Sequence, residues 1–82
     1  MLNIFVELFP PLKFPNGDKT RQMNVEQHLN IGDLLERLKD EGVFDDYGCN
    51  ALLVMVDDQI AENNYLLNNG QVVKILLHVA GG

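Results

Sequence analysis

An α+β fold, with one main helix packed on one face of a mixed sheet of four to five strands, is what this 82-residue sequence predicts. Three observations predict it. Residues 2–9 and 71–79 alternate with the period of two of a strand; residues 31–38 repeat apolar side chains at helical spacing; and breaks rich in Asn, Asp and Gly separate the segments at hairpin distances. A chain of this length has room for one modest core, so residues 1–82 read as a single domain without repeat or linker.

In the first strand Leu2, Ile4, Val6 and Leu8 form one row and Asn3, Phe5, Glu7 and Phe9 the other. Pro10-Pro11 ends it, because proline supplies no ladder donor, and Asn16-Gly17 offers a tight turn. A return strand is expected over residues 20–29, with Met23, Val25 and Leu29 pointing inward and a polar outer row that suits a sheet edge. Asn30 is a good helix N-cap, and Asp33 stands where a carboxylate favours the first turn. Ile31, Leu34, Leu35 and Leu38 then make one apolar stripe, Asp33 with Arg37 and Glu36 with Lys39 are expected to pair on the wet side, and Gly42 closes the helix.

Residues 43–50 read as a loop with room for a short turn. The sheet resumes at Ala51, where Leu52, Val54 and Val56 alternate with Leu53 and Met55 before a two-residue reversal at Asp57-Asp58 into Gln59-Ile60. Asn68-Asn69-Gly70 is a second turn signal and launches the last strand, in which Val73, Ile75, Leu77 and Val79 oppose Val72, Lys74, Leu76 and His78. If the first and last strands are parallel neighbours at the centre, the helix crosses between the two hairpins and covers the Leu2, Ile4, Val6 and Leu8 row. That is the β-grasp arrangement.

Composition narrows the function. With 46% hydrophobic and 22% charged residues the chain should fold, and its longest apolar run, residues 51–56, is far short of the roughly 20 residues of a membrane-spanning helix. The first residues carry no basic, apolar and small-residue pattern of a secretory signal, so a cytoplasmic location and no membrane partner are expected. The single Cys49 has no disulfide partner and no zinc framework, and His28 and His78 lack the neighbours of a metal site or a catalytic triad. A net charge of −6 disfavours nucleic acid as a partner. The segment from Asp33 to Glu62 alone carries nine acids and two bases. It reads as a solvated helix face with acidic loops, or more sharply as electrostatic steering toward a basic partner. Asp45-Asp46 and Asp57-Asp58 read as solvated pairs, and Gly32 and Gly70 stand alone without the spacing of a phosphate loop, so the chain itself should bind neither ATP nor another cofactor.

The stretches "LNIGDLLERL", "LLVMVDDQI", "LLNNGQVVKILL" and the final "VAGG" together resemble the MoaD/ThiS family of ubiquitin-like sulfur-carrier proteins, over the whole chain. The helix and hairpin patterns are weakly specific; a Gly-Gly ending on such a fold is strongly so. Three features depart from the family pattern and bear on the branch rather than the fold. Asn69-Gly70-Gln71 replaces Asp-Gly-Asp, Asp-Asp replaces Asn-Gly at the hairpin tip, and Pro10-Pro11 interrupts the first strand's end.

The resemblance implies a carrier that is not itself an enzyme. Its Gly82 would be adenylated with ATP by a separate E1-like adenylating enzyme, converted to a thiocarboxylate, and presented to a sulfur-accepting synthase subunit. Molybdopterin synthesis is favoured as the destination and thiamine thiazole synthesis follows closely. Residues 80–82 suit such a role physically. Glycine has no Cβ, so Gly81 and Gly82 can thread a narrow channel, and three extended residues reach roughly 10 Å. A frayed terminus is the bland alternative.

With the inward rows facing the helix, Phe5, Leu53, Met55, Leu76 and His78 would point out and form an apolar docking patch, continuing through Val79 and Ala80 to the tail; loops, notably the proline-rich segment, could instead cover it. Two further readings stay open. One is a ubiquitin-like modifier conjugated through Gly82 to lysines, although Ala80 stands where ubiquitin has arginine. The other is a non-covalent β-grasp interaction module.

Overall fold

The computed structural model describes residues 1–44 and 52–77. The elements are β1 (Leu2–Leu8), β2 (Thr20–Val25), α1 (Ile31–Asp40), β3 (Leu52–Val56), β4 (Gln59–Ile60) and β5 (Val72–Leu77). They form one five-stranded sheet in the order β2-β1-β5-β3-β4. β1 and β5 are parallel and central, and every other pairing is antiparallel.

The period-two rows of the sequence decide which way the sheet faces. Ile4, Val6 and Leu8 of β1, Val54 and Val56 of β3, and Val73 and Ile75 of β5 are all buried beneath α1, which contributes Ile31, Leu34, Leu35 and Leu38. Leu2 and Leu77 pack at the margin of this cluster.

Both ends of the helix are closed by the residues that the sequence marks. The Asn30 side chain accepts from the Asp33 amide at 2.8 Å. The Ile31 and Gly32 amides donate to the carbonyls of Tyr65 and Asn63, and Leu34 to that of Asn30, so none of the first four amides is left open. At the other end Gly42 adopts φ +84° while its amide bonds Lys39 and the Val43 amide bonds Leu38, a Schellman closure with Val43 and Leu38 both buried.

Two expectations are corrected. The second strand stops at Val25 and does not reach residue 29: His28 takes φ +70° and turns the chain off the sheet, while Leu29 stays buried and its carbonyl accepts from Leu67. That detour delivers Asn30 to the helix. Arg37 pairs with Glu26 of this turn instead of Asp33, and no Glu36–Lys39 pair forms.

The proline-rich connection also does more than link β1 to β2. Leu12 and Phe14 are buried in the core, Phe14 lies 4.0 Å beneath the Arg21 guanidinium, and Arg21 in turn bonds both carboxylate oxygens of Glu41. Val43 and Phe44, placed in a loop by the sequence, are core residues as well.

Candidate docking interface

The face of the sheet away from α1 is open. Phe5 lies opposite Val72 in parallel register, Leu53 opposite Leu76, and Met55 opposite both Lys74 and Ile60. Phe5 is 43% and Ile60 70% exposed, and Val72, Leu53, Met55 and Leu76 are half-buried against their neighbours. The structure thus brings Phe5, Leu53, Met55 and Leu76 onto one surface. The proline-rich segment does not cover them, because Leu12 and Phe14 draw it to the helix side. Val72 and Ile60 complete the patch without having been named for it. Val72's signal was its place in the outward row, whereas Ile60 needed the hairpin register that sets it beside Met55.

Backbone geometry at the turns holds this face in shape. Asp57 and Asp58 both take positive φ, +50° and +68°, the signature of a two-residue hairpin turn that matches the sheet's twist. Aspartates tolerate this conformation, and here Asp57 also does what glycine could not. Its carboxylate accepts from the Val72 amide at 3.1 Å and from the Gln71 side chain at 3.2 Å, tying the β3–β4 turn to the start of β5. Gln71 donates as well to the Tyr65 hydroxyl at 2.8 Å. Across the open face the Lys74 ammonium donates to Asp58 at 2.8 Å, and this bond, supported by the charges of Asp58 and Glu7, holds its pKa above the usual 10.5.

The remaining anticipated site residues, His78, Val79, Ala80, Gly81 and Gly82, lie outside the described residues, as do Cys49 and the Asp45-Asp46 pair. The strand that leads to residue 78 is β5, bonded on one side to β1 and on the other to β3. Among the described residues no cluster of three or more His, Cys, Asp or Glu could hold a metal ion, and no helix is long and apolar enough to cross a membrane.

One helix laid on a five-stranded mixed sheet, with the first and last strands parallel at its centre, defines a ubiquitin-like β-grasp protein. The sequence model of the ThiS family matches residues 6–82, and the chain belongs to that family. Members of this family are non-catalytic carriers that act with partner enzymes. A search of curated proteins returned no match in sequence.

Solved structures share the fold. The small archaeal modifier protein 1 of Haloferax volcanii superposes with a TM-score of 0.78 at 18% identity, covering 96% of this chain and 100% of its own. A chain of the complex between subunits 1 and 2 of the molybdopterin-converting factor of Helicobacter pylori 26695 gives 0.72 at 18%, covering 99% and 100%. Urm1 of Trypanosoma brucei gives 0.70 at 22%, covering 98% and 95%.

Proposed function

We propose that this protein is a sulfur carrier whose Gly82 carboxyl is loaded and unloaded by partner enzymes that dock on the open face of the sheet. The observation that carries this reading is the family match, which runs through residue 82 and so includes Ala80-Gly81-Gly82. At neutral pH a terminal carboxylate, with a pKa of about 3.3 to 3.7, is an anion and a poor electrophile. Activation must therefore come first. A Gly82 oxygen attacks the α-phosphorus of ATP on the adenylating enzyme and pyrophosphate leaves; a hydrosulfide equivalent then attacks the acyl carbon and AMP leaves with the carboxyl oxygen. The product is a thiocarboxylate, a sulfur nucleophile held on a slender tail.

Docking beside the tail fits the apolar patch of Phe5, Val72, Leu53 and Leu76. The destination we favour is molybdopterin synthesis, with the likeness to a chain from a converting-factor complex as support, and thiazole synthesis as the next choice. The test is the mass of the intact protein after incubation with the adenylating enzyme of the same organism, ATP and a sulfur donor. An increase equal to exchange of one oxygen for sulfur, absent when Gly82 is deleted, is expected.

The likeness to small archaeal modifier protein 1 favours a second reading, conjugation of Gly82 to lysines of other proteins. In that case the same incubation with cell extract yields lysine-linked adducts in place of the thiocarboxylate. Activity retained after removal of Gly81 and Gly82 would leave only a non-covalent module.

A further inference from the structure

A stripe of charge crosses the middle of the open sheet face. Glu7 of β1 lies opposite Lys74 of β5, and Lys74 reaches Asp58 at the β3–β4 turn. Apolar side chains flank the stripe: Phe5 and Val72 form one adjacent row, Leu53 and Leu76 the other. The Lys74 ammonium is committed to Asp58 at 2.8 Å. Glu7, half-buried, makes no ion pair among the described residues, whose bridges are Arg21–Glu41, Arg37–Glu26 and Lys74–Asp58.

This arrangement constrains whatever covers the face. A partner that closes over Phe5 and Val72 takes Glu7 out of water too, and burying an ionised carboxylate without a counter-ion outweighs the gain from the apolar contact around it. The neighbouring cation cannot serve both acids at full strength. Whichever acid Lys74 bonds, one cation between two acids leaves the stripe net negative. The surplus of the whole molecule points the same way, with a net charge of −6 that draws in a basic surface from a distance.

We infer that the protein partner docking here presents a lysine or arginine opposite Glu7, set among apolar side chains that meet Phe5, Val72 and Leu76. The inference rests on the docking reading of the previous subsection and adds the chemistry that selects the partner. Glu7 is a specificity residue: it admits a partner with the cation and rejects an equally apolar one without it.

The experiment titrates the adenylating enzyme of the same organism with the wild-type chain, Glu7→Gln, Glu7→Lys and, as a control on the exposed side of α1, Glu36→Gln. Calorimetry at low and high salt gives the affinities, and thermal melts check that each variant is folded. Glu7→Gln should weaken binding roughly tenfold at low salt and flatten its salt dependence, and Glu7→Lys should weaken it by roughly a hundredfold or more. Glu36→Gln should bind as the wild type does. Wild-type affinity and an unchanged salt slope in Glu7→Gln would overturn the inference, since a neutral donor or water would then suffice opposite Glu7, while the docking reading would stand. Failure of the wild-type chain itself to bind would overturn that reading and this inference together.

Discussion

Asp57 and Asp58 occupy adjacent left-handed positions for different reasons, and substitution separates them. Asp57 accepts the Val72 amide, so Asp57→Ala both removes that acceptor and places alanine at φ +50°; a loss of about 1–2 kcal/mol is expected in urea unfolding, against little change for Asp57→Asn. Among the described residues the Asp58 carboxylate bonds Lys74 and no backbone group. Glycine at that position relieves the backbone and gives up an exposed ion pair, so Asp58→Gly should change stability little at low salt and raise it at high salt, where the pair is screened.

The same pair has a defined pH signature. Lys74 is held above 10.5 in the folded protein, chiefly by the Asp58 hydrogen bond. For a base raised on folding, the stabilisation is complete below the unfolded value and fades as pH rises through the folded one. The melting difference between wild type and Asp58→Asn should therefore be constant through neutral pH and narrow above 10.5.

At the scale of elements, α1 was legible almost to the residue because each of its signals acts locally. The Asn30 cap, the four-residue apolar stripe and Gly42 act within one or two turns, and the structure places all of them as the sequence implies. Gly42 has open space around it at φ +84°, so Gly42→Ala meets only a conformational cost, about 1 kcal/mol, whereas Leu38→Ala opens a cavity in the core and costs about 2–5 kcal/mol. Chemical denaturation of the two variants should separate these magnitudes.

Where the decisive partner is distant in sequence, legibility fails. Nothing near Phe14 announces that Arg21 will stack on it and Glu41 will anchor the arginine, so the proline-rich segment, read as a turn and as a loop able to cover the open face, instead gives Leu12 and Phe14 to the core. Phe14→Ala should cost about 3–5 kcal/mol, comparable to Leu38→Ala. The end of β2 was missed for a similar reason: Leu29 is buried as its hydrophobicity demands, but its hydrogen bond is to Leu67 and not to β1.

For the whole molecule, the core and the proposed docking surface lie on opposite sides of one sheet, and the two can be perturbed independently. Phe5→Ser combined with Leu53→Ser alters only outward positions, so the melting temperature should move by a few degrees at most while sulfur loading by the adenylating enzyme falls by roughly tenfold or more. Val73→Ala, beneath α1, should show the reverse pattern. The open face itself could be read from alternation in β1, β3 and β5; its charged stripe could not, because Glu7, Lys74 and Asp58 come together only through the register of three strands.

The central, parallel placement of β5 also decides how the protein bears force. A pull on Leu77 along the strand, against an anchor at the start of β1, loads the ladder bonds between β1 and β5 side by side in shear, with β3 bracing the opposite edge. A pull that peels β4 from β3 instead opens its few bonds one after another. A load applied along β5 at Leu77 therefore meets bonds that must yield together, whereas a load on β4 meets bonds that yield in turn.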